Sequence, residues 1–352
     1  MLLLSAKVSP LFFVIIFLLF HSSFSHTNST SDLLYDIYPF IRVFRNGTIR
    51  RFIGQDFAPA GLDPTTGVHS KDVIIFASNF NLSARVYLPR AAAATPVHKL
   101  PLLLYFHGGG FFTESAFSPT YHHHLNSLVA RARVVAVSVN YRLAPEHLLP
   151  IAYQDSWLAL KWTFSHFRGN NAGQEPWLRK YADFRRVYLG GDSAGGNIAN
   201  QMAIRVGLEC PDPDIKVNGM FLNCPYFLGK KNGSAGNNGY AETQMEKLWL
   251  YAYPNSSGLD DPLVNPVMDP RLKRVGCKRV LVYVAEKDVL RVRGWWYKEA
   301  LERSGWDGEV KAVEVEGEGH VFNLINPTSP KAVAMLRVIA AFLNPRSAST
   351  GS

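Results

Sequence analysis

The chain has 352 residues, 47% of them hydrophobic, and a formal net charge of +9 at pH 7. A chain of this size and composition can bury a full core, and three cysteines are too few for a small disulfide-stabilised scaffold. Its basic residues are scattered, without the basic and aromatic patch that nucleic-acid binding requires. A solvated basic surface accounts for the charge, with weak attraction to anionic polysaccharide as the lesser alternative. Cys210, Cys224 and Cys277 lie in no metal or redox motif. The sequence allows one disulfide bond among them, with one free thiol.

The first 25 residues are typical of a secretory signal peptide. Lys7 precedes an apolar run at 11–20, and Ser23 and Ser25 suit cleavage before His26. The run is shorter than the roughly 20 residues that a membrane span needs. We expect a protein of the secretory pathway, extracellular or vacuolar, with no stable membrane insertion after cleavage. An uncleaved membrane anchor is the alternative.

Five N-x-S/T sequences are candidate glycosylation sites, and they support secretion modestly because some would arise by chance. Glycans at these positions would require them to lie on the surface. The candidates are Asn28, Asn46, Asn81, Asn232 and Asn255.

Apolar runs that are typical of strands alternate with helical stretches along the rest of the chain. This alternation predicts one doubly wound α/β domain over 26–352, with a mostly parallel central sheet, because parallel strands need helical crossovers. The predicted strands lie near 84–88, 102–106, 133–139, 187–190, 217–223, 280–285 and 310–315.

A glycine-rich loop follows the second of these strands, with the sequence HGGGF at 107–111. Consecutive glycines let the backbone approach a substrate carbonyl and direct N–H groups at it. We assign an oxyanion hole to the N–H groups of Gly109, Gly110 and Ala194. His107 precedes the glycines, so we expect it to brace the loop and not to act as a base.

A second motif, GDSAGG at 191–196, lies between an apolar strand and a helix with apolar spacing. G-x-S-x-G in this context is a nucleophile elbow, which places Ser193 on a tight turn at the carboxyl end of a strand. An ordinary capping serine on a glycine-rich turn is the alternative. The two motifs together favour acyl-transfer chemistry.

Two further residues complete a catalytic triad in the order serine, acid, histidine. Asp288 lies just past a strand at 280–285, and His320 follows a strand at 310–315 between flanking glycines. Taken alone, Asp288 could be a helix cap and His320 a polar loop residue. Their joint order and placement predict the triad Ser193, Asp288 and His320.

The chain resembles the plant carboxylesterases of the hormone-sensitive-lipase-like group of α/β-hydrolases, which also contains the gibberellin receptors. Beyond the two motifs above, the resemblance rests on YPF at 38–40, NGTIRR at 46–51, GVHSKDV at 67–73, NYRLAPEH at 140–147 and AYQD at 152–155. It spans roughly 32–345 and implies an α/β-hydrolase fold with a helical cap, which we place at about 32–60 and 225–265. The chain departs from the family in having a leader, and in Val292, where members often carry an acidic residue.

The resemblance implies hydrolysis of a small-molecule carboxylic ester, with no metal and no cofactor. Aromatic residues in the second cap segment suggest a small bulky or aromatic ester. Two alternatives remain: elimination, dehydration or cyclisation of a specialised metabolite in the same pocket, and a silent hormone receptor. The receptors lack the triad histidine, whereas His320 is present here. The run at 122–124 of three histidines predicts packing and not a metal site, because adjacent residues face different sides of a helix.

Overall fold

The structure is a computed structural model that describes residues 32–77, 80–90, 98–168, 175–229 and 239–345. The predicted leader and the candidate sites Asn28 and Asn232 lie outside the described residues. No helix within the described ranges is long and apolar enough to cross a membrane.

The described strands form a large sheet of eight strands and a small sheet of three. In chain order they are β1 (Leu33–Ile37), β2 (Ile41–Phe44), β3 (Ile49–Arg51), β4 (His69–Ala77), β5 (Asn81–Leu88), β6 (Leu100–Phe106), β7 (Val135–Asn140), β8 (Ala182–Asp192), β9 (Val217–Asn223), β10 (Arg279–Ala285) and β11 (Glu309–Val315). The large sheet has the order β11-β10-β9-β8-β6-β7-β5-β4. In this order, the neighbouring strands from β11 through β6 to β7 are all parallel. Strand β5 pairs antiparallel with β7, and the edge strand β4 pairs antiparallel with β5.

The described helices lie on both faces of this sheet, as in a doubly wound fold. They are α1 (Pro119–Ala132), α2 (Ile151–Ser165), α3 (Pro176–Tyr181), α4 (Ala194–Glu209), α5 (Tyr240–Ala252), α6 (Arg291–Arg303), α7 (Phe322–Ile325) and α8 (Pro330–Leu343). Side chains of β6 alternate between two cores: Leu102 and Leu104 pack under α2 and α4, and Leu103 and Tyr105 pack under α1 and α8. The expected α/β fold with a mostly parallel sheet is confirmed.

The carboxyl ends of the central strands lie at one edge of the sheet, because the register aligns them. Loops that follow these strands therefore meet, which is where α/β folds bind ligands. The aligned pairs are Phe106 with Gly191, Asp192 with Asn223, and Ala285 with Val315.

The first of the two segments expected to form the cap is a small sheet and not a helix. β1, β2 and β3 form an antiparallel meander within it, with the turn Asn46-Gly47 between β2 and β3. An Asn-Gly pair flanked by alternating apolar residues is a strong hairpin signal, which explains the strands. The second segment contributes α5, and the stacked rings of Tyr35 and Tyr251, 4.3 Å apart, join the two segments.

Candidate active site

The three residues predicted to form the triad come from three loops at the aligned edge of the sheet. Ser193 directly follows β8, Asp288 follows β10, and His320 follows β11. Each loop starts at the end of a buried parallel strand, so the fold brings together side chains that are far apart in sequence.

The serine lies on a strained turn between β8 and α4. Its φ is +49° and its ψ is −121°, which is unfavourable for a residue with a side chain. The turn is held by backbone hydrogen bonds, since the Ser193 N–H donates to the Asn223 carbonyl at 2.9 Å and the Ser193 carbonyl accepts from Tyr226 at 2.9 Å. Gly195 is required here, because a Cβ would lie 2.0 Å from the Phe106 carbonyl oxygen.

A chain of two hydrogen bonds connects the three side chains. His320 Nε2 lies 2.9 Å from Ser193 Oγ, and His320 Nδ1 lies 2.8 Å from Asp288 Oδ2. Asp288 Oδ1 accepts the Leu290 N–H at 2.9 Å, which fixes the carboxylate. The carboxylate accepts hydrogen bonds, so Nδ1 carries the proton and Nε2 is free to accept the serine hydroxyl proton.

Burial and charge shift the pKa values of His320 and Asp288 in opposite directions. Burial lowers the pKa of His320, but the Asp288 carboxylate outweighs that effect and holds the pKa well above its usual value. Burial raises the pKa of Asp288, while His320 and the Leu290 N–H lower it, and the net pKa lies below its usual value. Asp288 is therefore ionised at neutral pH and can stabilise an imidazolium.

The glycine loop after β6 lies beside the serine turn. Gly109 and Gly110 have φ of +98° and +63°. A Cβ at Gly109 would lie 2.1 Å from the Thr113 carbonyl oxygen, so the loop accepts no side chain there. Among the residues that the structure describes, none accepts a hydrogen bond from the N–H groups of Gly109, Gly110 or Ala194. These three donors remain available to a ligand.

A buried cluster of two tyrosines and one aspartate supports the loop. The Tyr121 hydroxyl accepts the Gly108 N–H at 2.7 Å and donates to Asp192 at 2.8 Å. Tyr105 donates to the same carboxylate at 2.7 Å. Burial raises the pKa of Asp192 to about 6, although both tyrosine hydroxyls act against the rise. This cluster joins the glycine loop, β6 and the serine turn.

His107 is buried within the loop and does not face Ser193. Its Nδ1 lies 2.8 Å from the Gly108 carbonyl, and its ring stacks on Tyr141 at 4.2 Å. Burial lowers its pKa to about 4, so the ring is neutral at physiological pH. The contacts fit a bracing role.

Ion pairs and a hydrogen bond join the two segments expected to form the cap to the loops around the site. Arg51 of β3 pairs with both carboxylate oxygens of Glu146 at 2.9 and 2.5 Å and donates to the Phe112 carbonyl at 2.6 Å. Arg293 pairs with Glu242 of α5, which connects the cap helix to the helix after Asp288.

The aromatic residues of the second cap segment do not all lie where the sequence predicts. Tyr226, Phe227 and Trp249 are buried in the main core instead of lining an open pocket. The Trp249 indole donates to the Gly258 carbonyl at 2.9 Å. An apolar side chain of α5, Leu248, lies over the glycine loop, about 3.1 Å from where a Gly110 Cβ would be.

The structure also describes three of the candidate glycosylation sites, Val292 and the run of three histidines. Asn46, Asn81 and Asn255 are exposed. The side chain of Val292, where the family pattern has an acid, is 43% exposed. The histidines at 122–124 belong to α1, where His124 is buried and has a pKa lowered to about 4 by burial.

Positive backbone angles cluster around the site. Six non-glycine residues of the described ranges have positive φ, and five of them lie in the loops just described or directly beside them. Strained residues of this kind are held in place by surrounding structure and are typical of functional sites. The five are Phe111, Glu114, Ser193, Cys224 and Val321.

Cys224 is a neighbour of the site that the sequence reading missed. It directly follows β9, and its thiol lies within 4.8 Å of both an Asp288 carboxylate oxygen and a His320 ring nitrogen. Its position in the sequence could have indicated this. Cys224 follows a buried strand, β9, that lies between β8 and β10, and the loops after β8 and β10 carry predicted site residues.

Comparison with known proteins gives the same fold and a family. The α/β hydrolase fold family matches residues 103–324, and a carboxylesterase family matches residues 59–146. The chain is 48% identical to probable carboxylesterase 1 of Arabidopsis thaliana, over 89% of this chain and 98% of that protein. It is 42% identical to 2-hydroxyisoflavanone dehydratase of Glycyrrhiza echinata, over 92% of this chain and 99% of that protein. An esterase structure from Pyrobaculum calidifontis matches with a TM-score of 0.63 and 27% identity, over 78% of this chain and 85% of the other.

The chain therefore belongs to the α/β-hydrolase fold family. Within that family it is a plant carboxylesterase of the hormone-sensitive-lipase-like group and, by that membership, an esterase of the serine hydrolase class.

Proposed function

We propose that this enzyme hydrolyses a carboxylic ester with Ser193 as nucleophile, His320 as base and Asp288 as the group that orients His320. The observation that carries the proposal is the pair of hydrogen bonds at 2.9 and 2.8 Å from His320 to the other two side chains. This is the geometry in which a base removes the hydroxyl proton as the oxygen attacks.

The reaction proceeds in two halves. Ser193 Oγ bonds to the ester carbonyl carbon while its proton passes to His320 Nε2, and Asp288 stabilises the resulting imidazolium. His320 then gives that proton to the departing alkoxide, which leaves as the alcohol. Water attacks the acyl-enzyme by the same route and releases the acid.

The oxyanion of each tetrahedral intermediate is proposed to bind the N–H groups of Gly109, Gly110 and Ala194. These donors have no acceptor among the described residues, and two of them are held at positive φ by a loop that bonds to buried Tyr121. Removing one such donor typically lowers kcat by about a hundredfold to a thousandfold.

The proposed substrate is a small ester with a bulky or aromatic apolar group. Helix α5 presents the apolar side chain of Leu248 to the glycine loop, and the Glu242 carboxylate of the same helix is paired with Arg293 of α6. An apolar acyl or alcohol group is therefore favoured over a charged one.

Labelling with a fluorophosphonate tests the nucleophile. Wild-type protein should be labelled and should hydrolyse p-nitrophenyl esters. Ser193→Ala should lose both by several orders of magnitude, and His320→Val should lose turnover while retaining ligand binding. Ser165→Ala, at the end of α2, is the matched control and should behave as wild type. Normal turnover in folded Ser193→Ala would exclude this assignment.

A second candidate is elimination of water from a hydroxylated metabolite, supported by the dehydratase from Glycyrrhiza echinata among the similar proteins. In such a reaction a base removes a proton from one carbon, a double bond forms as the C–O bond on the neighbouring carbon breaks, and the departing oxygen takes up the proton and leaves as water. The serine therefore need not form a covalent bond. Incubation with 2-hydroxyisoflavanone and with p-nitrophenyl acetate separates the two. Ser193→Ala should abolish hydrolysis of the ester, whereas dehydration that survives in this variant would favour the second candidate.

We also propose that the protein enters the secretory pathway and is glycosylated. The leader sequence and the exposed positions of Asn46, Asn81 and Asn255 support this. Protein purified from plant cells should begin at or near His26 and lose mass on glycosidase treatment. A cytosolic, full-length and unglycosylated product would contradict the proposal.

A further inference from the structure

Three side chains with metal-ligating atoms meet behind the proposed nucleophile. A thiol, a carboxylate oxygen and an imidazole nitrogen, from Cys224, Asp288 and His320, all lie within 4.8 Å of one another. No other group of three such residues within ligand distance occurs in the described part of the chain.

The fold fixes the thiol in this place. Cys224 directly follows β9, and its N–H donates to the Tyr283 carbonyl of β10 at 2.8 Å. Its φ of +45° is an unfavourable conformation for a residue with a Cβ, and it places Cys224 beside the loop that carries Asp288. The other two thiols, Cys210 and Cys277, have no such neighbours within ligand distance among the described residues.

We propose that Cys224, Asp288 and His320 form an inhibitory site for a borderline-soft divalent cation of the Zn²⁺ type. Thiolate, imidazole and carboxylate are the ligands that Zn²⁺ uses in proteins, and three protein ligands leave a fourth position for water. Tetrahedral bonds of about 2.0 to 2.3 Å place neighbouring ligand atoms about 3.3 to 3.8 Å apart. His320 Nδ1 and Asp288 Oδ2 are 2.8 Å apart, and the three ligand atoms lie within 4.8 Å of one another, so shifts of about an ångström would form the site.

The charges of the buried ligands would balance the charge of a divalent cation. Cys224 and Asp288 are buried, and a thiolate with a carboxylate neutralises a dication. The Cys224 thiol proton passes to solvent on binding. The His320 side chain is 33% exposed, so of the three ligands it is the one in contact with solvent.

Binding of the ion would stop hydrolysis by changing the imidazole tautomer, and this consequence rests on the proposed function. His320 Nδ1 now carries the proton that faces Asp288, and Nε2 faces Ser193. A cation that binds Nδ1 displaces that proton, which is the single N–H proton of the neutral ring, and the ring takes up its proton on Nε2 instead. His320 then cannot accept the Ser193 proton, so the nucleophile is not activated.

The test combines a kinetic and a spectroscopic measurement. Zn²⁺ should inhibit p-nitrophenyl ester hydrolysis by the wild-type protein, EDTA should restore it, and Mg²⁺ should have no effect. Cys224→Ser should need at least about tenfold more Zn²⁺ for half-inhibition, measured against its own metal-free rate. Cys277→Ser and Cys210→Ser are matched controls and should keep the wild-type sensitivity.

Addition of Co²⁺ provides a readout that does not depend on turnover. Wild-type protein and Ser193→Ala should both develop the thiolate-to-cobalt absorption band, and Cys224→Ser should not. If Cys224→Ser fails to fold, Asp288→Asn is the second variant and should weaken the band. A band in Ser193→Ala without zinc inhibition of the wild type would support cation binding but overturn the inhibitory role, and it would count against His320 as base. Equal zinc inhibition of Cys224→Ser and wild type, or no band, would overturn the site.

Discussion

Replacing Tyr121 by Phe tests how the glycine loop is held in place. The ring stays and its packing is unchanged, while the hydroxyl that accepts from Gly108 and donates to Asp192 is removed. A hydrogen bond to a charged group contributes about 1.5 to 3 kcal/mol, and a buried N–H left without an acceptor costs about 1 to 3 kcal/mol. We expect a loss of about 3 to 5 kcal/mol in the free energy of unfolding.

Thermal unfolding followed by circular dichroism measures this loss. An unfolding entropy of about 2.1 cal/mol/K per residue, over a chain of 352 residues, converts it to a fall of about 4 to 7 °C in Tm. Because Gly108 precedes the proposed oxyanion donors, kcat for p-nitrophenyl acetate should fall between about tenfold and a hundredfold. Tyr38→Phe, at a residue that is 51% exposed, is the control. An unchanged Tm and kcat in Tyr121→Phe would refute the reasoning.

Three further predictions follow from the site. Asp288→Asn should lower kcat about 10⁴-fold, because the imidazole adopts the wrong tautomer. In the wild type, activity should rise with pH as His320 loses its proton, in a transition above about pH 6.5, the usual pKa of histidine. Asp288→Asn lacks the carboxylate that raises the His320 pKa, so its pH profile should show the transition at lower pH. Gly109→Ala should abolish esterase activity in a protein that still folds, since its Cβ would lie 2.1 Å from the Thr113 carbonyl oxygen. For Asp192, the pKa rises from 3.8 in the unfolded chain to about 6. This adds stability that is fully present below pH 3.8 and is lost as pH rises through 6. The urea-unfolding free energy of wild type relative to Asp192→Asn should therefore fall by about 2.4 kcal/mol between pH 4 and 7. A flat difference would contradict the assignment.

The central sheet could be predicted because its strands are buried on both faces and read as continuous apolar runs. All seven predicted strands are present. One boundary was early: Arg133 ends α1 in a left-handed conformation, so β7 begins at Val135. β4 was not predicted, because it is an edge strand that alternates between exposed and half-buried residues. The short strands β1 to β3 carry too few residues for periodicity to distinguish them from a loop.

The positions of the three triad residues could be predicted because the motifs and the order of the strands along the chain indicated the same residues. Ser193, Asp288 and His320 lie together because each follows a strand of the parallel sheet. Their roles in catalysis stay predictions until the variants are measured. The place of Cys224 could not be predicted, because it depends on the register of β9 against β10 and on a backbone angle that no motif records.

The positive backbone angles around the reacting groups have a consequence for evolving this enzyme in the laboratory. Each costs on the order of 1 to 3 kcal/mol, which the rest of the sheet must offset. Replacing Glu114 or Val321, which are half-buried, by glycine would relieve part of that cost, so heat tolerance is open to improvement at positions near the chemistry. Glycine at the buried Phe111 would instead leave a cavity. A selection for thermal survival alone would therefore draw substitutions into these loops and erode turnover. Library screens of this protein should score activity and stability in the same clone.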